Sequence, residues 1–510
     1  LRDQIIYKKT RAAGCDWKNR GVTLTSKGEL AYCAVQSRIL GDAKDEDSND
    51  LYWENSDHLK DIVNNECATC HHDYEGFSDR KLFVKSFAKE VIQKLPNTVG
   101  EGIDKTIDKF KKIDHSLEVK KIMSWSKGVT TQQKDLVPNQ VLICGWYGTE
   151  TLGDKAILGG IVNKIKESDN NTIVHLASLE PYVSEMTTYQ MKELGINKVI
   201  GIKGANEKIC SGSYESVIMG GGPLMSSVSE VTQILELFTN AKKVGAKNII
   251  WGCGIGPLFD GHTNNKVIKQ LLNLSDKIYV RDSASQELLS KELGINKPTN
   301  VSLDPAFEWI MNNKSSEVKR NSKQIILALR DWPIQEYASD LNEKKALKIK
   351  KSFEQQVQGF VSTLLESDDE IKIIPFCMHK YATGGDDRFF YKRLFKDFPE
   401  VLENLDMQHR TPLSDLKLFQ KSSFVLAMRY HSTVFSIATG TPFMSIDYTR
   451  GGKITGLLQD MSLNDRLIDL DSFDGKMLAE NFNNISEKTF DRDGLIKEQL
   501  TLYNELLNNK

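Results

Sequence analysis

The chain has 510 residues, too many for one ordinary hydrophobic core, and its length suggests roughly three domains. Lys and Arg (67) nearly balance Asp and Glu (69), and the net charge of −2 gives no global attraction to nucleic acid or an anionic membrane. No apolar run approaches the ~20 residues a membrane-spanning helix needs, and the N-terminus shows no apolar signal core.

Residues 1–78 form the first domain in this reading, with short segments, turns and four of the eight cysteines: Cys15, Cys33, Cys67 and Cys70. Cys15 and Cys33 flank a hairpin-like S-K-G-E-L-A-Y-C, and Cys67 and Cys70 form C-A-T-C. Four thiolates suit a [4Fe–4S] cluster or a structural zinc, although zinc usually takes two C-x-x-C knuckles and only one is present. The other cysteines (Cys144, Cys210, Cys253 and Cys377) are scattered through mostly apolar segments, as expected of buried free thiols in a cytoplasmic protein. Residues 79–137 carry helix-spaced apolar positions among many lysines and read as a helical connector.

From Val141 the pattern alternates strand and helix. Apolar runs at Q-V-L-I-C-G-W-Y, N-T-I-V-H-L-A-S, K-V-I-G-I, S-V-I-M-G-G-G, K-N-I-I-W-G-C-G and K-I-Y-V-R-D define a Rossmann-like half over 138–311. A second series, from K-Q-I-I-L-A-L-R through P-F-M-S-I-D-Y, defines another over 323–470, and 471–510 supplies a helical brace. The expected fold is therefore α/β, with two doubly wound halves facing a cleft and ligands at the carboxyl ends of the strands.

Several motifs fall at those strand ends. Glycine-rich turns carry Gly145, Gly148 and Asp154, then Gly221 and Gly222, then Gly254; glycine lets a ligand approach backbone, and the following helix N-termini favour anions. Asp154 can orient a ligand or cap its helix. Arg281 follows K-I-Y-V and can pair with Asp282 or with Asp304, which reads as architectural. In A-M-R-Y-H-S, Arg429 and His431 stand two apart, so at a strand end they point to one side, with Tyr430 turned away. Arginine grips carboxylate or phosphate in bidentate fashion, and histidine moves protons near neutral pH. Lys453 is a candidate phosphate contact or an ordinary surface lysine.

Taken in order, G-W-Y-G-T-E-T-L-G-D-K-A-I-L, V-I-M-G-G-G-P-L, W-G-C-G-I-G-P-L, I-Y-V-R-D-S-A-S, S-L-D-P-A-F and M-R-Y-H-S-T-V-F-S-I-A-T-G-T-P-F-M-S-I-D-Y resemble the polysaccharide pyruvyl transferase family over roughly 141–470. The resemblance implies a GT-B-like fold and transfer of the enolpyruvyl unit of phosphoenolpyruvate to a sugar or glycan hydroxyl, usually forming a pyruvate ketal. It implies that Arg281, Arg429 and His431 form the donor site, with Gly145, Gly148, Asp154, Gly221, Gly222, Gly254 and Lys453 around it. No cofactor is required in that cleft. The chain departs from the family pattern at Thr151, where Asn is usual, at Lys155, where an acidic residue is usual, and at Tyr430, where Leu is usual. Two other readings stand beside it: a GT-B-like glycosyltransferase using a nucleotide sugar, for which Asp447 would grip the ribose, and an interaction module on a degenerate transferase scaffold.

The N-terminal cysteines, with R-I-L-G-D and D-L-Y-W-E between them, resemble a shortened SPASM module, the auxiliary-cluster domain of many radical S-adenosylmethionine enzymes. This resemblance implies that Cys15, Cys33, Cys67 and Cys70 ligate the metal group. The chain begins without Met, which leaves room for an upstream domain, and a homo-oligomer is equally compatible.

Overall fold

Parallel sheets flanked by helices carry most of the chain. A computed structural model describes residues 22–66, 70, 117–315, 318–338, 341–381, 385–405, 407, 410–487 and 489–497. Its contacts divide the chain into two units, Leu1–Ser116 and Leu117–Lys510.

In the first unit, β1 (Thr23–Leu24), β2 (Glu29–Ala31) and β3 (Ile39–Asp42) make an antiparallel meander. Gly28, at φ +90°, closes the first turn in a conformation that side chains disfavour. Asp47 caps the helix Ser48–Glu54 by accepting from the N–H groups of Asn49 and Asp50. That helix sends Leu51 against Gly41, where a Cβ would sit 2.4 Å from Leu51 Cδ2. Cys70 is buried, and Cys33 is half-buried with its Sγ accepting the Gln36 N–H at 3.3 Å. Cys15 and Cys67 lie outside the described residues.

The second unit holds two lobes. The N-lobe sheet runs β11 (Asn300–Val301), β10 (Lys277–Val280), β9 (Lys247–Ile255), β7 (Ser216–Gly220), β4 (Gln140–Cys144), β5 (Ile173–Ser178), β6 (Lys198–Gly201), all parallel, with the short β8 (Pro223–Leu224) beside β9. Its strands are β-branched and apolar on both faces because helices cover both, as the alternating pattern requires. The helix over 117–127, from the expected connector, contributes Val119 and Ile122 to the core of this lobe. The C-lobe sheet runs β13 (Lys372–Pro375), β12 (Asn321–Ala328), β14 (Ser422–Ala427), β15 (Phe443–Asp447), β16 (Leu467–Asp469), again all parallel. Two doubly wound parallel sheets meet the expected fold class.

The lobes share a core. The helix Leu152–Ser168 is buried on every side through Val162, and a helix without a polar face belongs inside a structure. It packs against the helices Ala306–Asn313 and Tyr430–Thr439. Close approach is possible because a Cβ on Gly159 would meet Trp309 at 2.1 Å and one on Gly160 the Pro305 carbonyl at 1.8 Å. At its start the backbone is stitched to the C-lobe: Leu152 N–H donates to Met378 O at 3.1 Å, and Thr151 bridges His379. Residues 471–497 return to the C-lobe, where the helix Gly475–Glu480 packs on Glu343–Ser367 and Ile496 joins the core.

Candidate active site

The carboxyl ends of the strands of both sheets surround one cavity of about 370 Å³. Trp146 follows β4, Gly222 follows β7, Arg281 follows β10, Met378 and His379 follow β13, Arg330 follows β12, Arg429 follows β14 and Tyr448 follows β15. A parallel sheet delivers side chains to this edge because every strand ends there.

Arg281 is buried on its own acids: Nε lies 3.4 Å from Asp282 Oδ2, and Nη1 lies 3.6 Å from Asp304 Oδ2. Its guanidinium lies on Gly254, where a Cβ would stand 2.4 Å from Nη2, and over the Tyr430 ring at 3.8 Å. Tyr430 thus faces Arg281 rather than turning away. The Tyr in place of the usual Leu supplies a cation–π contact.

Arg429 and His431 both line the cavity, but not as a strand pair. The strand stops at Ala427; Arg429, at φ −78° and ψ 138°, precedes the helix Tyr430–Thr439, and His431 is its second residue. The period-two argument fails because the backbone turns into a helix between them. Arg429 Nη2 pairs with Asp387 Oδ1, while its buried Nε has no partner. His431 Nε2 faces Asp304 Oδ2 at 3.4 Å, and neither atom makes a hydrogen bond. Burial lowers the His431 pKa, with Asp304 opposing. Asp304 is held below the usual carboxylate range, because His431 and then Arg281 outweigh its burial. Asp304 is therefore part of the charged cluster as well as of the architecture.

Gly153 was not evident as a site residue. A Cβ there would stand 2.1 Å from His431 Nδ1, so glycine makes the space for the imidazole. One residue on, Asp154 lines the cavity and makes no cap; the helix has no side-chain cap bond. Its burial, and then Asp304 nearby, push its pKa up to about 7. Gly222 and Lys453 also line the cavity. Gly145, Gly148 and Gly221 are not among its lining residues: their missing Cβ atoms leave room for Gly220 O, Glu180 N and the Tyr147 hydroxyl, at 2.2, 2.5 and 3.2 Å.

A further cluster escaped the sequence reading. Arg330 donates from Nη1 to the Tyr448 hydroxyl at 3.3 Å, and Lys453 Nζ lies 5.5 Å from the centre of the same ring. Tyr337 packs edge-on to Tyr448 at 5.0 Å. Arg330 ends the run K-Q-I-I-L-A-L-R much as Arg281 ends K-I-Y-V-R, which was the signal available for finding it. Burial of Lys453 lowers its pKa, as expected of an ammonium withdrawn from water. Asp447, by contrast, is committed to its own loop, accepting from Thr449 N–H at 2.8 Å, Gly451 N–H at 2.6 Å and the Thr455 hydroxyl at 2.7 Å.

Fold and site together define a two-lobed α/β protein whose interlobe cavity gathers three arginines, a lysine and two histidines, with Asp154, Glu230 and Glu336 also in its lining. The chain belongs to the polysaccharide pyruvyl transferase family, whose sequence profile matches residues 107–450. A transferase enzyme acting in polysaccharide synthesis follows at that level. No curated protein sequence matches the chain. Among solved structures, similarity extends to UDP-GlcNAc 2-epimerase from Neisseria meningitidis bound to UDP-GlcNAc (11% identity, 72% of this chain and 100% of that one, TM-score 0.43). It extends also to the Methanocaldococcus jannaschii UDP-GlcNAc 2-epimerase in complex with UDP-GlcNAc and UDP (14%, 71% and 99%, TM-score 0.46). A glycosyltransferase from Rickettsia africae is similar at 10% identity, over 73% of this chain and 100% of that one, with TM-score 0.44. No helix among the described residues is long and apolar enough to cross a membrane.

Proposed function

We propose that the chain transfers the enolpyruvyl unit of phosphoenolpyruvate to a sugar hydroxyl of a glycan or glycoconjugate, closing a pyruvate ketal. The observation that carries this reading is the convergence of Arg281, Arg330, Arg429 and Lys453 with His431 on one cavity. Phosphoenolpyruvate bears its carboxylate and its phosphate on the same carbon, and preorganised cations bind such dense charge strongly. His431, whose burial favours the neutral imidazole, is suited to take the proton of the attacking hydroxyl. The occupied carboxylate of Asp447 counts against a ribose grip, and hence against a nucleotide-sugar donor.

Titration calorimetry with phosphoenolpyruvate and with a UDP-sugar separates the two donors. Binding of the first and silence of the second is expected; the reverse sinks the proposal. His431→Ala should keep donor affinity and lose about 10²–10⁴-fold in turnover, measured as phosphate release with an acceptor glycan.

For the N-terminal unit, Cys15, Cys33, Cys67 and Cys70 are the proposed ligands of a [4Fe–4S] cluster, with zinc the alternative. The Gln36 N–H donates to Cys33 Sγ, and hydrogen bonds to the sulfurs are among the features that tune such a cluster. Anaerobic purification with iron, sulfide and zinc analysis decides: iron with sulfide supports the cluster, stoichiometric zinc replaces it, and neither removes the metal site altogether.

A further inference from the structure

Ketal formation moves protons at two places: one leaves the attacking hydroxyl, and another arrives at C3 of the donor. One imidazole held against Asp304 cannot serve both positions in the same step. The cavity contains a second candidate, built on a separate element.

Tyr448 directly follows β15 and is 1% exposed. Its carbonyl accepts the Trp332 indole N–H at 3.0 Å, and the edge-on Tyr337 ring meets its own, so the phenol is fixed in place. The charged groups acting on it are Arg330, which bonds its hydroxyl, Lys453 from the next helix and Arg429 from the end of β14. Asp387 offsets Arg429, and Glu336 adjoins Tyr337. Burial by itself would raise the Tyr448 pKa; Lys453 and then Arg330 bring it down to about 7. A phenol surrounded by hydrogen-bond donors and cations is an acid held near its point of proton loss.

From this geometry we propose that Tyr448 is the acid that protonates C3 of the enolpyruvyl unit, acting together with His431 as the base. The inference rests on the phosphoenolpyruvate reading above. In the first step the acceptor oxygen bonds to C2, and its proton passes to His431. The electron pair of the C2=C3 bond takes the phenol proton, leaving a methyl group and tyrosinate. In the second, the C2–O bond to phosphate breaks with its pair, and the leaving phosphate takes the proton from His431. A second sugar hydroxyl bonds to C2, and its proton restores Tyr448. The products are the ketal and inorganic phosphate, with both side chains returned to their starting states.

This arrangement couples proton loading to donor binding. Above neutral pH the cations draw the proton off Tyr448; the negative charges of a bound donor offset them and return it. At pH 8 a phosphate monoester is already fully ionised, its second pKa being about 6, so proton uptake on binding comes from the protein. Calorimetric titration of phosphoenolpyruvate at pH 8, in buffers of different ionisation enthalpy, should show uptake in the wild type and in His431→Ala but not in Tyr448→Phe. The Phe variant should bind the donor within about threefold of wild type. It should turn over about 10²–10⁴-fold more slowly, without the fall in rate expected of the wild type as pH rises through the phenol's titration.

Equal uptake and comparable turnover in Tyr448→Phe overturn the role of the phenol while leaving the donor reading intact. No donor binding by the wild type overturns the donor reading itself, and this inference with it. If Tyr448→Phe does not fold, the pH-dependent phenolate absorbance of wild type provides the check. A phenol titrating near neutral pH, and moving upward when donor is added, supports the proposal; ordinary tyrosine titration alone ends it.

Discussion

The two halves of the charged cavity are supported differently. Arg281 and Arg429 lean on buried carboxylates, Asp282 with Asp304 in one case and Asp387 in the other. Arg330 and Lys453 lean on phenols, and among the described residues neither has a carboxylate within ion-pair reach. A carboxylate cancels most of a cation's charge while fixing its position; a protonated phenol fixes position and leaves the charge for a ligand. The first pair is thus expected to serve the fold as much as the ligand, and the second to serve chiefly the ligand.

The largest expected effect tests the first half of that contrast. Arg429→Ala leaves the buried Asp387 without its counterion, with only the His379 N–H still donating to it, and should cost about 3–5 kcal/mol in thermal or chemical unfolding. Replacing both partners by apolar residues, Arg429→Met with Asp387→Leu, should recover most of that stability but not activity. A fully stable Arg429→Ala would erase the distinction between the two halves. Next, Arg330→Ala and Lys453→Ala should fold normally, and each should weaken phosphoenolpyruvate binding by about 10–100-fold, the scale of one charge-assisted hydrogen bond. Instability comparable to that of Arg429→Ala would show the phenol side to be structural too.

Gly153→Ala probes the floor beneath His431. The added methyl must displace the imidazole, costing about 1–3 kcal/mol and lowering turnover with donor affinity retained. The smallest effect concerns pH. Asp154 has its folded-state pKa raised above the unfolded value, so it favours the folded state in acid, and that contribution is lost as pH rises through about 7. Asp154→Asn should therefore gain melting temperature over wild type at pH 8 and not at pH 4; an equal change at both would show that Asp154 does not titrate there.

Much of the second unit could be read from sequence because strand and helix alternate with different periods, and strands such as β4, β7 and β14 are unbroken apolar runs. Arg281, Arg429 and His431 were visible because they sit directly at the ends of such runs. What was hidden depended on tertiary partners. Nothing near Asp387 marks it as the counterion of Arg429, 42 residues away. Asp304 looked structural because the imidazole it faces comes from the other lobe. Gly153 and Gly254 carried no local sign of the side chains resting on them, and Arg330 and Tyr448 became a pair only when β12 and β15 were brought to the same sheet edge.

The loop after β15 bears on how the proposed donor would be received. Asp447 binds Thr449, Gly451 and Thr455 into a closed turn just before and within the helix that Lys453 begins. Immobilising one long side chain at an interface costs about 0.5–1.5 kcal/mol of conformational entropy. Here the turn that carries Lys453 is ordered when the chain folds, so the side chain would meet the proposed donor from a rigid mount. Loosening the turn with Asp447→Ala would leave the charge of the cavity's lysine unchanged, and it should still weaken the donor complex by making its arrival entropically dearer.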